Sequence, residues 1–114
     1  MSYDRRQFPR ADLVFDVKYR AQDQEVDTFS RDISAGGISF VTQESYAPDS
    51  VLAVSFSLKG LAGQIDAMCQ VVRSWQDGAT TYTAVRFTEI DDMDLVTVTD
   101  YSLAMSDEVR HEMG

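Results

Sequence analysis

The segment Leu13-Val14-Phe15-Asp16-Val17-Lys18-Tyr19-Arg20 alternates apolar and polar side chains along most of its length. An apolar side chain at every second position is the period of a β-strand that buries one face and exposes the other. The pattern returns in residues 52–58, where large apolar side chains alternate with small or polar ones. The predicted buried positions are Leu13, Phe15, Val17 and Tyr19 in the first segment and Leu52, Val54, Phe56 and Leu58 in the second.

Four further segments are rich in the β-branched and aromatic residues that favour strands. They cover residues 26–33, 38–42, 65–75 and 80–88. Turn-forming residues separate the segments, because glycine, proline and aspartate interrupt regular structure. These turns fall at Asp23-Gln24, Ala35-Gly36-Gly37, Ala47-Pro48-Asp49, Lys59-Gly60 and Asp77-Gly78. The sequence therefore predicts six strands.

The connections between the predicted strands are short, and this decides how the strands pair. Parallel strands need crossover connections of about a dozen residues or more, whereas no helical pattern lies between these segments. We therefore expect an antiparallel sheet. A short six-stranded sheet protects its edge strands best by closing on itself. The predicted fold is all-β, with a six-stranded antiparallel β-barrel over residues 12–88 and a C-terminal helix.

The helix is predicted over residues 91–113. Asp91 and Asp92 supply an N-cap and acidic side chains for the first turn. Apolar or small residues then recur at steps of three and four, at Leu95, Val98, Tyr101 or Ser102, Met105 and Val109. This spacing is typical of an amphipathic helix, although the β-branched run at residues 96–99 lowers the helix propensity. We expect one domain spanning residues 1–114.

Composition excludes several classes of function. A hydrophobic fraction of 44% with 25% charged residues is typical of a globular domain. The single cysteine, Cys69, and the single histidine, His111, cannot form a disulfide, a thiolate metal site or a Ser-His-Asp triad. We therefore expect no enzyme, no catalytic residue, no bound metal and no cofactor. Without an apolar run of about 18 residues or a signal sequence, we expect a cytoplasmic protein.

The charge is distributed unevenly along the chain, whose formal net charge is -9. Residues 1–10 hold three arginines against Asp4, which gives +2, whereas residues 89–114 hold eight acids against Arg110, which gives -7. Charges farther apart than a Debye length of about 8 Å are screened at physiological salt, so a local arginine cluster can still bind a small anion. The acidic balance argues against DNA or an anionic membrane as a partner.

The arginine cluster lies in the sequence Arg5-Arg6-Gln7-Phe8-Pro9-Arg10. Pro9 disfavours a helical conformation at Phe8, so we expect residues 1–11 to form an extended arm, with Arg6 and Arg10 about 13 Å apart when fully stretched. Each guanidinium can make bidentate bonds to phosphate oxygens. An ordinary solvated basic terminus would have the same composition.

A second cluster, Asp32-Ile33-Ser34-Ala35-Gly36-Gly37, joins two predicted strands. Gly36 and Gly37 allow positive φ values and a close approach of the backbone to a ligand. Asp32 offers a hydrogen-bond acceptor and Ser34 a hydroxyl, which can bind a base edge or a phosphate. The same residues are also common in turns that bind nothing.

Together, Arg-x-x-x-Arg at Arg6 and Arg10 and Asp-x-Ser-x-x-Gly at Asp32, Ser34 and Gly37 resemble the PilZ domain family of bacterial cyclic di-GMP receptors. The order and separation of the two motifs make the resemblance specific, although each motif alone is weak. It implies a PilZ-like split barrel with a trailing helix. It also implies that the two arginines bind phosphates and guanine edges, while the other three residues line the barrel surface beneath the ligand.

The resemblance covers roughly residues 4–110 and adds two expectations. In similar domains an arginine at the position of Arg5 accompanies binding of a self-intercalated ligand dimer. Some also carry a tryptophan near the position of Trp75, which ends a predicted strand before the Asp77-Gly78 turn. An indole there can stack on a guanine, although packing at the barrel rim would explain it equally well. The expected binding set is Arg5, Arg6, Arg10, Asp32, Ser34, Gly36, Gly37 and Trp75.

The expected function is that of a receptor whose arginine arm becomes ordered over cyclic di-GMP and presents a new surface to a partner protein. The resemblance implies a partner that controls motility, adhesion and biofilm formation, or exopolysaccharide production. Two alternatives remain open at this point. One is an adaptor with the PilZ fold that binds no nucleotide, and the other is a barrel that binds single-stranded nucleic acid.

Overall fold

The computed structural model describes residues 15–58 and 63–113 of the chain, with side chains described as far as residue 104. Six strands are followed by one helix, as the sequence predicts. The strands are β1 Asp16–Ala21, β2 Gln24–Ser34, β3 Gly37–Thr42, β4 Val51–Phe56, β5 Ile65–Asp77 and β6 Thr80–Ile90, and the helix is α1 Asp92–Met113.

The strands form a closed barrel in the order β1-β2-β3-β6-β5-β4, and every neighbouring pair is antiparallel. The barrel closes where β1 pairs with β4, with Val17 opposite Phe56 and Tyr19 opposite Val54. Each of the six described strands thus has two partners, so the sheet closes on itself. The predicted six-stranded antiparallel barrel is confirmed.

The barrel interior is filled by the alternating apolar residues that define the strand pattern. Tyr19 and Phe40 are both fully buried, and their ring centroids lie 5.3 Å apart. Burying a side chain of this size contributes about 1.5–3 kcal/mol, so this packing stabilises the barrel. Of the predicted buried positions, those in the described residues are confirmed: Phe15, Val17, Tyr19, Leu52, Val54, Phe56 and Leu58. Leu13 lies outside the described residues.

Of the three register shifts in the strand pairing, two are β-bulges at positions that matter for the outer surface. In β2 the pairing with β3 shifts between Ser30 and Asp32, so Arg31 is an extra residue. In β5 the pairing with β6 shifts between Val71 and Arg73, so Val72 is an extra residue. Because side chains alternate faces along a strand, one inserted residue moves every later side chain to the opposite face.

Helix α1 follows β6 directly and packs against the barrel through a narrow face. Asp91 caps the helix, since its carboxylate accepts a hydrogen bond of 2.9 Å from the Met93 backbone N–H. Val98 and Ser102 are buried, whereas Met93 and Val96 on other faces are exposed. Within the described residues, no helix combines the length and apolar character needed to cross a membrane.

Candidate functional site

The Asp-x-Ser-x-x-Gly motif lies on the outer face of the β2–β3 hairpin. Ile33 and Ile38 face each other in the barrel core, so the neighbouring pairs Asp32–Ser39 and Ser34–Gly37 face outward. The turn between the strands consists of Ala35 and Gly36. The fold therefore brings Asp32, Ser34 and Gly37 together on one surface, as the family resemblance implies, with Gly36 in the adjoining turn.

Although it lies on the outer face, the Asp32 side chain is only 1% exposed. The Ser39 hydroxyl donates a hydrogen bond of 2.7 Å to Asp32 Oδ1, and the Arg31 guanidinium lies 3.5 Å from Oδ2. A buried carboxylate needs donors of this kind to offset its loss of hydration. The motif carboxylate is therefore held in a defined position by its neighbours on β2 and β3.

Gly37 is required because β3 and β6 approach each other closely at this point. A Cβ atom at position 37 would lie 2.0 Å from the carbonyl oxygen of Val85, whereas a Cβ atom at Gly36 would have nothing within 4 Å. The Phe87 backbone N–H donates a hydrogen bond of 3.1 Å to the Gly36 carbonyl. Neither glycine has a positive φ, so the conformational freedom that glycine allows is not used in this turn. Close strand packing explains Gly37 instead.

Trp75 is placed on the outer face by the bulge in β5. Ser74 and Thr83 face the interior, where their hydroxyls share a hydrogen bond of 2.7 Å, so the next pair, Trp75 and Tyr82, faces outward. The two rings stack with centroids 5.6 Å apart and an interplanar angle of 25°. The Arg73 guanidinium lies over the indole, 4.6 Å from the ring centroid. A base that stacks on Trp75 must therefore share this surface with Arg73.

Arg31 connects the motif to this aromatic pair. Its guanidinium carbon lies 5.7 Å from the Trp75 ring centroid and 5.5 Å from that of Tyr82, within the range of cation–π interactions. The same guanidinium contacts Asp32. Sequence reasoning missed Arg31, Arg73 and Tyr82. Two signals could have found the arginines, because Arg31 directly precedes Asp32 and Arg73 precedes Trp75 by two residues.

The outer surface around the motif carries several positive charges in an acidic chain. Arg31 and Arg73 are exposed, and so is Arg86, which lies opposite Gly37 in the β3–β6 pairing. Arg86 also donates a hydrogen bond to the Gln70 side chain on β5. These arginines come from three different strands, which gives this part of the barrel a locally favourable potential for an anion despite the net charge of -9.

The predicted residues Arg5, Arg6 and Arg10 lie outside the described residues, so their place relative to the hairpin stays a prediction. Within the part of the chain that the structure describes, no group of three histidine, cysteine, aspartate or glutamate side chains could hold a metal ion. A groove of about 530 Å³ over β4 and β5 includes none of the predicted binding residues. The candidate site therefore lies on the outer face of β2, β3, β5 and β6, outside that groove.

Comparison with known families agrees with this geometry. A family model for the PilZ domain matches residues 4–104, which include both motifs and all six strands. The chain belongs to the PilZ domain family. PilZ domains are receptor or adaptor domains, and the six-stranded barrel with a C-terminal helix is the PilZ fold. No curated protein sequence matches the chain at a significant level.

Solved PilZ structures resemble this domain. The inhibitor of motility MotI/DgrA of Bacillus subtilis is 28% identical, with a TM-score of 0.78 over 90% of this chain and 51% of its own. The PilZ domain of Escherichia coli YcgR, solved with c-di-GMP, is 15% identical, with a TM-score of 0.68 over 96% of this chain and 98% of its own. MrkH of K. pneumoniae is 18% identical, with a TM-score of 0.73 over 98% of this chain and 53% of its own.

The sequence identity limits what these structural comparisons show. At 15% and 18% identity, YcgR and MrkH show a shared fold and no more. This PilZ domain spans about half the length of the MotI/DgrA and MrkH chains.

Proposed function

We propose that this PilZ domain is a receptor for cyclic di-GMP that binds the nucleotide on the outer face of the β2–β3 hairpin. One observation carries the proposal: Asp32, Ser34 and Gly37, the residues of the motif, lie together on that face. The YcgR PilZ domain, which was solved with c-di-GMP, has the same fold. No catalytic step is part of the proposal.

The chemistry of the ligand suits the groups around the hairpin. Cyclic di-GMP has two phosphates and two guanines, and arginine binds both groups, through phosphate oxygens or through O6 and N7 of guanine. The Asp32 carboxylate and the Ser34 hydroxyl add acceptors for base N–H groups, and Trp75 adds a ring on which a guanine can stack. Gly36 and Gly37 leave the turn without side chains that would obstruct the ligand.

The N-terminal arm supplies the remaining contacts in this proposal. Arg6 and Arg10 bind the phosphates and guanine edges as residues 1–11 close over the ligand, and Arg5 favours an intercalated ligand dimer. Ordering of the arm neutralises its charge and creates a surface that the ligand-free protein lacks. Binding is thereby converted into a signal for another protein.

The output of the receptor would pass through an effector protein in the cytoplasm. The Bacillus subtilis relative MotI/DgrA is an inhibitor of motility, which favours motility as the controlled process, with adhesion and biofilm formation or exopolysaccharide production as alternatives. This domain spans about half of the MotI/DgrA chain. The partner of this domain and the process that it controls are therefore proposals. The proposal requires only that the effector binds the protein with ligand bound and the arm ordered, in preference to the ligand-free protein.

Calorimetric titration with cyclic di-GMP, GMP and a short single-stranded oligonucleotide tests the proposal. We expect micromolar or tighter binding of cyclic di-GMP and no binding of the other two at the same concentrations. Binding of the oligonucleotide alone would support a nucleic-acid-binding barrel. Binding of none of the three would support an adaptor that acts without a nucleotide.

A further inference from the structure

Arg31 contacts two parts of the candidate site that are distant in sequence and lie on different strands. Asp32 belongs to β2 and Trp75 to β5, and β3 and β6 lie between them in the barrel. Three strand spacings correspond to about 14 Å along the sheet. The guanidinium of Arg31 lies 3.5 Å from the Asp32 carboxylate and 5.7 Å from the Trp75 ring centroid. One side chain therefore touches both ends of the site.

The bulge in β2 makes this double contact possible. In a regular strand Arg31 and Asp32 would lie on opposite faces, with one side chain in the core. Because Arg31 is the extra residue of the bulge, Asp32 pairs with the outward-facing Ser39 while Arg31 is also exposed on the outer face. The two side chains are thus neighbours on the same surface. Bulges commonly redirect side chains in this way next to functional sites.

Arginine is chemically suited to the position in a way that lysine is not. Its planar guanidinium can donate hydrogen bonds to a carboxylate from its edge while its face lies against aromatic rings. At Arg31 the carboxylate is Asp32, and the rings are those of Trp75 and Tyr82, the latter 5.5 Å away. A lysine would keep the positive charge but would not offer the planar, delocalised guanidinium.

From this geometry we infer that Arg31 is a positioning residue, which holds the Asp32 end and the Trp75 end of the site in one arrangement before the ligand binds. The inference rests on the proposed function and deepens it. Preorganisation raises affinity because the ligand does not have to order the side chains that it contacts. Arg31 then acts on the ligand through Trp75 and Asp32, and its effect depends on their presence.

A double-mutant cycle on cyclic di-GMP affinity tests this dependence. Arg31→Ala is compared with the parent in two backgrounds, one with Trp75 intact and one carrying Trp75→Leu, and urea denaturation checks that each variant is folded. Arg31→Lys tests whether the guanidinium is needed rather than a positive charge alone. Arg20→Ala is the matched control, because Arg20 is an exposed arginine on β1 that pairs with Glu25.

We expect Arg31→Ala to weaken binding roughly three- to tenfold when Trp75 is present and less than about twofold in the Trp75→Leu background. Arg31→Lys should fall between Arg31→Ala and the parent, and Arg20→Ala should match the parent. An equal loss in both backgrounds would mean that Arg31 does not act through Trp75, and no loss in either would mean that it has no role. Either result overturns the inference while leaving the receptor proposal intact.

The fluorescence of Trp75 tests the inference without a ligand, because Trp75 is the single tryptophan of the chain. Acrylamide is a suitable quencher since it is neutral and does not respond to the change in charge. Arg31→Ala should raise the quenching constant of the ligand-free protein, and Arg20→Ala should leave it unchanged. If the parent binds no cyclic di-GMP, the proposed function fails. An unchanged quenching constant in Arg31→Ala would instead overturn the positioning role.

Discussion

The Ser39 hydroxyl donates a hydrogen bond of 2.7 Å to Oδ1 of Asp32, directly across the β2–β3 pair. Each of the two residues is 1% exposed, although both face outward from the barrel. A carboxylate in such a place depends on its donors, because a lost hydrogen bond cannot be replaced by bulk water. Ser39, which lies outside the Asp-x-Ser-x-x-Gly motif, thus supports the motif carboxylate.

We therefore expect Ser39→Ala to reduce the free energy of unfolding by about 1–3 kcal/mol. Urea denaturation followed by circular dichroism measures the change. Ser55→Ala is the control, because the Ser55 hydroxyl donates a bond of the same 2.7 Å length to Asp66 in an exposed position. That variant should lose less than about 1 kcal/mol, since water can replace the lost donor. Equal losses at the two positions would contradict the proposed role of burial.

Gly36 and Gly37 provide a second matched pair. Gly37→Ala places a Cβ atom 2.0 Å from the Val85 carbonyl, so β3 and β6 must separate, and we expect a loss of at least about 2 kcal/mol in stability. Gly36→Ala meets no atom within 4 Å and has no positive φ to strain, so it should be neutral or slightly stabilising. Thermal unfolding of both variants distinguishes these outcomes. A Gly37→Ala protein as stable as the parent would contradict the close approach.

The sequence alone predicts which side chains face the core in the regular strands, but not that Trp75 faces outward. In β1 and β4 the alternation is uninterrupted, so the buried faces could be read directly from the sequence. In β5, Val71 faces the core, and an uninterrupted alternation would also turn Trp75 inward. The bulge at Val72 turns Trp75 outward instead. The position of the bulge is set by the pairing of β5 with β6 rather than by the local sequence. The motif residues on the β2–β3 hairpin were predictable because they are close in sequence.

The same limit applies to Arg31. Its proximity to Asp32 is visible in the sequence, but its contacts with Trp75 and Tyr82 depend on the strand order β2-β3-β6-β5 and on both bulges. The strand and turn pattern by itself does not specify that order. The reason for glycine at position 37 was not visible locally either, since it comes from Val85, which lies almost fifty residues later in the chain.

Removing either motif arginine of the arm should weaken ligand binding without unfolding the barrel. Arg6→Ala and Arg10→Ala each remove charge-assisted bonds of about 1.5–3 kcal/mol, which corresponds to roughly ten- to more than a hundredfold in affinity for cyclic di-GMP. Calorimetric titration measures the loss. Arg20→Ala on β1 serves as the control for a change in net charge. Parental affinity in both arm variants would show that the arm does not bind the nucleotide.

Stoichiometry tests the role of Arg5 separately. If the ligand binds as an intercalated dimer that Arg5 stabilises, titration of the parent should saturate near two cyclic di-GMP molecules per chain. Arg5→Ala should then saturate near one and bind more weakly. A parent that saturates at one ligand per chain would rule out the dimer, while leaving the predicted roles of Arg6 and Arg10 open to their own test.

Cys69 should make the stability of the domain sensitive to alkaline pH. The thiol is fully buried in β5, and desolvation raises the pKa of Cys69 to about 12. In the unfolded chain the thiol ionises near its ordinary pKa, about 8.5. Between these two values the folded state holds a proton that the unfolded state has lost, so the free energy of unfolding falls as the pH rises through this window. Below the lower value the thiol contributes no pH dependence.

The variant Cys69→Ala isolates this contribution, because removing the thiol costs packing energy that does not change with pH. We expect the difference in unfolding free energy between the parent and Cys69→Ala to be constant from pH 6 to 8. Above pH 9 it should shrink, by at most about 1.4 kcal/mol per pH unit, as the parent alone loses the thiol contribution. Urea denaturation at pH 7, 8, 9.5 and 10.5 measures the difference. A difference that stays constant over all four conditions would show that burial does not hold the thiol in its neutral form.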